Sequence, residues 1–345
     1  MSIHIAASAD LGSVVRRGLR EPVRFVSDNW VVGPCAVDPE RHAHIRCDYW
    51  EFQGRARSRF VGSFRGIVEA IDSRQPIVVW TSRLWTDTVA LWALCAWRLA
   101  RSPAEPNLGV VDLGDPAEAG DATGSGGGFV RASPADVRRS VGDIRSLSLT
   151  RVREMALFWR KLSALSPILS VKGERASKAR KKLFDLGDYQ AGFLPRLGPR
   201  GLILSRFDEL LFSCLAEQGS TPVEVFVSRE PAGEKLRSRW LSLTGDVFLA
   251  ARLAQWASHN GKSAALVSEP YKPERRMIAV RYKLSDTGHA MMRHGLTTVD
   301  QGAPLPVWGV TAYDPLAPWV VEDVHVGRQQ LHQLGEGATQ RLKKD

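Results

Sequence analysis

The chain has 345 residues, with 47 lysines and arginines against 37 acids, a formal net charge of +10 and a pI near 9.7. Its 44% hydrophobic content is that of a globular protein and excludes a wholly disordered one. The length suits two domains with room for a small third, and the charge favours polyanionic partners such as nucleic acid. The longest apolar helix candidate, residues 89–99, is broken by Arg98 and too short to span a bilayer, so no membrane partner is expected.

In chain order, residues 3–7 read as a strand. No charged-then-apolar signal segment precedes them, so a cytoplasmic location is expected. Residues 10–20 form an amphipathic helix with Leu11, Val14, Val15 and Leu19 inward. A strand over 23–27 and a helix over 59–73, built on Phe60, Phe64, Ile67 and Ile71, come next. Residues 76–80 are apolar without alternation, as in a strand covered on both faces. A helix over 86–100 and a strand over 108–113 complete the alternation. The pattern predicts a Rossmann-like α/β domain over residues 1–113, with a parallel sheet and right-handed crossovers.

Loops at the carboxyl ends of parallel strands are where such folds bind ligands. Here they offer Ser8, Asp10, Asp28, Asn29, Thr81, Ser82 and Asp112 as candidates for a small molecule. The segment after Ser8 enters a helix N-terminus, whose free N–H groups can hold an anion. Asp10 reads equally well as that helix's cap, and Asp28 before Gly33-Pro34 as turn chemistry. If the protein is an enzyme, Asp28 or Asp10 is the acid–base candidate. No glycine-rich dinucleotide or Walker sequence is present, so no cofactor is assigned. His42, His44 and Cys47, with Cys35 upstream, are zinc-type ligands at a spacing that matches no common zinc motif. The two histidines read as loop surface, and no metal is expected. The four cysteines, Cys35, Cys47, Cys95 and Cys214, contain no C-x-x-C pair and suit a reducing compartment.

The run Ile3-His4-Ile5, the segment Ser27-Asp28-Asn29-Trp30-Val31-Val32-Gly33-Pro34, Trp80 and the downstream Asp87 together resemble a bacterial domain-of-unknown-function family, number 1835. Where that family tends to have Gly-Asp-Ser, this chain has Ser8-Ala9-Asp10. The resemblance covers the first third of the chain. It implies kinship of fold and no known activity.

Residues 114–133 are rich in Gly, Ala and Ser and read as a linker. Residues 134–200 read as a helical connector with a basic stretch from Lys172 to Lys182. Residues 201–295 then predict a winged-helix-like α+β domain. Its first helix carries Phe207, Leu210, Leu211 and Cys214 on one face after a Ser205 cap. The second opens with the capping box Thr221-Pro222-Val223-Glu224. The third starts near Thr244 or Asp246 and places Leu249, Leu253 and Trp256 inward. Strands over 263–268 and 277–284 flank a basic wing, and Ser285 caps a last helix. The phrase Tyr282-Lys283-Leu284-Ser285-Asp286-Thr287-Gly288 resembles the end of the wing in many bacterial winged-helix regulators. Residues 296–345 read as an irregular extension. The leading expectation is a binding or regulatory protein. Arg252, Gln255 and His259 would approach bases, Lys272, Arg275 and Arg276 would approach phosphates, and the first domain would sense a ligand or partner. The alternatives are an enzyme of unnamed reaction at the sheet's carboxyl edge, and a winged helix used only to form a homodimer.

Overall fold

The structure, a computed structural model, describes residues 2–25, 28, 30, 33–50, 52–82, 84–114, 132–163, 191–198, 201–258, 264–271, 279–295, 319–325 and 328–333. Among these, the residues up to Ser163 form one compact unit and those from Ala191 another. No helix among them is long and apolar enough to cross a membrane.

The first unit is mixed α/β. Strands β1 (Ile3–Ala6), β2 (Val23–Phe25), β3 (Ile77–Thr81) and β4 (Leu108–Asp112) run parallel, and a two-residue β5 (Arg145–Ser146) joins β4 antiparallel. The sheet order is β2-β1-β3-β4-β5. The chain thus leaves β1 to one side for β2 and returns past it for β3. β3 is buried at all five positions, as its unbroken apolar run requires. Ala6, Val78 and Trp80 pack with Leu11, Val14 and Val15 of helix α1 (Ala9–Leu19) and with Val137 of α5 (Pro134–Ser140). Helices α3 (Gly54–Asp72), α4 (Trp85–Arg101) and α6 (Leu149–Leu162) pack in series, α3 on α4 and α4 on α6. Arg98 at the end of α4 is 1% exposed and donates to the carbonyls of Ile71, Ser73, Gln75 and Pro106, tying two connections together.

Several boundaries differ from the sequence expectation. Helix α1 starts at Ala9 with Ser8 at the N-cap, so Asp10 is in its first turn and is not the cap. Helix α3 starts five residues before the expected 59. Helix α2 (Pro39–Tyr49), capped by Asp38, occupies a stretch that reads as loop in the sequence. The reason is an unusual buried face: His42, Ala43, Arg46 and Cys47 are inside, so the polar–apolar contrast that marks an amphipathic helix is missing. Residues 134–162, expected as the start of a connector, supply α5, β5 and α6 to the first unit. The linker residues 115–131 and the basic run Lys172–Lys182 lie outside the described residues.

In the second unit, α7 (Arg206–Ser213), α8 (Pro222–Val227), α9 (Pro231–Leu236), a π-helical turn (Arg237–Leu241) and α10 (Ser242–Ser258) precede a hairpin of β8 (Leu266–Tyr271) and β9 (Ala279–Leu284), then α11 (Asp286–His294). The Ser205, Thr221 and Ser285 caps form as their sequences dictate, the second with its reciprocal Glu224 bond. Helix α9 has no counterpart in the sequence expectation. It runs through the π turn into α10, so the third helical segment begins well before Thr244. Phe193, Phe207, Trp240 and Phe248 pack mostly edge to face, with ring centroids 4.7–6.4 Å apart. A separate sheet of order β11-β10-β6-β7 contains β6 (Arg196–Gly198), β7 (Gly201–Ile203), β10 (Trp319–His325) and β11 (Arg328–Gln333). The tail expected to be irregular therefore contributes a paired hairpin.

Candidate functional site

The four parallel strands end at one edge, and β1 and β3 are the neighbours at which the strand order reverses. Ligands of open α/β sheets sit outside the carboxyl ends of such a pair. Ser8 follows β1, Ser82 follows β3, and both lead into helices. Ser8 occupies the N-cap of α1, yet its side chain makes no cap bond. Ser8 lies beside Asp87, in the first turn of α4, and helps to lower that residue's pKa.

Asp87 is fully buried. Its Oδ2 accepts from the Ser82 amide at 2.9 Å and the Ser82 hydroxyl at 2.6 Å, and its Oδ1 accepts no bond. Burial raises its pKa first of all. Hydrogen bonding from Ser82 and Ser8 opposes that, and the nearby charge of Asp10 adds to it. Asp10 itself is exposed. Asp112 closes β4 at the same edge, where it accepts from the Gly114 amide at 2.9 Å. Asp10, Asp87 and Asp112 thus stand at one edge of the sheet. An anion at the start of α1, allowed by the sequence, would face Asp10 and Asp87. What the residues favour is a donor of hydrogen bonds, either hydroxyl or ammonium.

The other sequence candidates have different fates. Thr81 is buried and spends its hydroxyl on the Val111 carbonyl at 3.3 Å, so it is not a ligand contact. Asn29 lies outside the described residues. Asp28 is not an available acid–base group. Arg46 grips it in a fork, Nε to Oδ2 at 2.8 Å and Nη2 to Oδ1 at 2.6 Å, and the Trp50 indole donates to Oδ1 at 3.0 Å. Both charged side chains are at most 1% exposed. Gly33, at φ +82°, passes so close to Arg46 and Tyr49 that a Cβ there would collide with both.

Beside this pair His42 is buried at 1% exposure, stacked on Trp30 at 5.3 Å and edged by Phe64, Trp97 and Trp159. Its Nδ1 accepts from the Ala36 amide at 3.2 Å, which leaves the proton on Nε2, 4.0 Å from Asp28. Burial, then the Arg46 charge, lower its pKa to about 3, so it is neutral across the physiological range. His42 is a core residue, which corrects its surface reading, whereas His44 is exposed. Among the described residues no group of three or more His, Cys, Asp or Glu gathers as a metal site would need.

A cleft of about 630 Å³ opens at the opposite, amino edge, between Ile77, Asn107, Leu108, Ile144 and Leu147. Glu105 is its one charged lining residue, and it lies away from the switch point, so volume and chemistry point to different edges. Topology and the buried Asp87 make the carboxyl edge the candidate site.

In the second unit, Arg252 does not project from α10. It is 2% exposed and forks onto Asp208, at 2.8 and 2.6 Å, while Trp256 donates to the same carboxylate at 2.9 Å. Gln255 accepts from Arg252. Arg252 belongs to the unit's core, which corrects its assignment to bases, while Gln255 is half-buried beside it. His259, Lys272, Arg275 and Arg276 lie outside the described residues. The hairpin's strand cations are spent on acids, Lys283 on Glu269 and Arg281 on Glu224.

Comparison with protein-family models, curated proteins and solved structures returned no match to this chain.

Proposed function

We propose that this is a binding protein whose first unit takes a small hydrogen-bond-donating ligand, a polyol or an amine, at the carboxyl edge of its sheet. The observation that carries the reading is Asp87, buried at the β1/β3 switch point with one carboxylate oxygen unbonded. The strand order 2-1-3-4 supports a doubly wound, Rossmann-like description of this unit, and the quoted motifs support kinship with the family of unknown function. Ser8 and Asp10 form the accessible rim, with Ser82 and Asp87 beneath. A thermal-shift survey of the full chain with ribose, adenosine, putrescine and spermidine tests this. A ligand that binds only the native state stabilises it by about 2.7 kcal/mol at a hundredfold excess over its Kd. Stabilisation by at least one of these compounds is expected, and none by any would remove the reading.

A second reading, that the second unit is a winged-helix-like module that docks nucleic acid, draws on a separate observation. The order α7, α8, α9, α10, β8, β9, α11 has Ser220 bridged to Tyr282, so a third strand position lies beside the hairpin just ahead of α8. With Arg252 buried and lost to base contact, the reading rests on the connection between β8 and β9, whose Lys272, Arg275 and Arg276 would touch phosphate. Replacing Arg275 and Arg276 with alanine is then expected to weaken duplex binding for every sequence tested. It should also reduce the slope of log affinity against log salt by about 0.9 for each phosphate that is no longer neutralised. Unchanged binding would leave the unit as a protein-docking or dimerisation module.

A further inference from the structure

We propose that the outer face of α3 is a docking surface for the phosphate backbone of duplex nucleic acid. The surface belongs to the first unit and stands whether or not the wing touches nucleic acid.

Along α3, Arg55, Arg59, Gly62 and Arg65 are exposed and fall on one side of the helix, followed by Glu69 and Asp72. The charges are inverted with respect to the helix dipole. Cations stand in the N-terminal half, where anions are stabilising, and acids stand near the C-terminus, where cations are. The first turn contains no acid, and Gln53 at the N-cap makes no side-chain bond. Stability alone would not select this order.

Compensation is equally one-sided. The two acids are each neutralised by an arginine from elsewhere, Glu69 by Arg24 at 3.1 Å and Asp72 by Arg101 at 2.9 Å. Arg57, on the flank, pairs with Asp48 at 2.7 Å. Among the described residues no acid pairs with Arg55, Arg59 or Arg65. Three uncompensated guanidinium groups therefore line a helix segment about 15 Å long, at 1.5 Å per residue. A Cβ built on Gly62, at the centre of the row, meets nothing within 4 Å, so the face is open to an approaching surface.

The residue types select among polyanions. Arginine forks match phosphate oxygens. No aromatic side chain is exposed along this row, so there is no platform on which unpaired bases would stack. No large apolar side chain stands between the arginines to enter a bilayer, as a membrane-surface helix requires. A duplex backbone, read without regard to sequence, fits what remains.

The test is fluorescence anisotropy of the full chain with a labelled DNA duplex of about 20 base pairs at several salt concentrations. The triple variant R55A/R59A/R65A is expected to bind about tenfold or more weakly at 0.1 M salt, with the salt slope reduced by about 0.9 for each phosphate left without its arginine. Its melting temperature should be equal to or above the wild type's, because alanine removes cations from the start of a helix and has the higher helix propensity. The variant R55K/R59K/R65K should retain most of the affinity. Equal binding by wild type and R55A/R59A/R65A would overturn the proposal and leave the wing reading standing. So would wild-type chain that ignores the duplex, prefers single strands, or binds only phosphatidylserine vesicles.

Discussion

Asp87 has a pKa raised by burial, and that has a definite consequence for stability. In the unfolded chain it titrates near 3.8, and in the folded protein higher. The stability it contributes is therefore complete below the unfolded value and is lost as pH rises through the folded one. Above that window the ionised carboxylate is a constant penalty, reduced but not removed by Ser82 and Ser8. Asp87→Asn, uncharged at every pH, should melt at or above the wild-type temperature at pH 7 and lose that advantage near pH 3.5, a comparison circular dichroism can make directly. An asparagine variant markedly less stable at pH 7 would show that the Ser82 bonds outweigh desolvation. His42 has the opposite sign: its contribution is present above pH 6.5 and is lost as pH falls toward 3. Ser8, Asp10 and Ser82 were legible in the sequence as residues of the carboxyl edge. Asp87 stood out only as a motif residue, because nothing local marks an aspartate in a helix's first turn as buried. Asp28 looked like a free carboxylate because its partner Arg46 lies eighteen residues away, on a helix the pattern did not reveal.

At the scale of elements, both units use one device. An aspartate in a loop or first turn is forked by an arginine inside a helix, and a tryptophan one turn further on donates its indole N–H to the same carboxylate. Asp28 with Arg46 and Trp50 forms the first, and Asp208 with Arg252 and Trp256 the second. The arginine also lies against the indole, at 5.4 Å in one case and 4.8 Å in the other. Removing one partner strands a buried charge. Arg46→Met should cost about 3–5 kcal/mol in urea unfolding followed by tryptophan fluorescence, whereas Asp28→Asn combined with Arg46→Met should recover part of it. A cost under about 1 kcal/mol for the single variant, the range of exposed pairs, would contradict the buried-clamp description. The strand–helix alternation, the capping boxes and the β8–β9 hairpin were legible because each follows a short-range rule. Helices α2 and α9 were not. One buries polar side chains in a pair formed with a distant residue, and the other continues through a π turn into its successor.

For the molecule as a whole, the net charge of +10 conceals a division of labour. Three arginines are consumed internally, at Asp28, at Asp208 and at the carbonyls around Arg98, so basic composition overstates the surface available to nucleic acid. Against that background the carboxyl edge of the first sheet places Asp10 and Asp87 beside Ser8 and Ser82, an arrangement that composition alone obscures. The ligand's charge is thus the quantity that separates this site from an anion-binding helix N-terminus. Isothermal titration of the full chain with matched pairs, adenosine against AMP and ribose against ribose 5-phosphate, measures it directly. The expected result is that an unphosphorylated member binds, that its phosphorylated counterpart binds more weakly, and that Asp10→Ala and Ser8→Ala weaken the former. Tighter binding of the phosphorylated members, or binding indifferent to both substitutions, would contradict the assignment of the carboxyl edge as a site for hydrogen-bond-donating ligands.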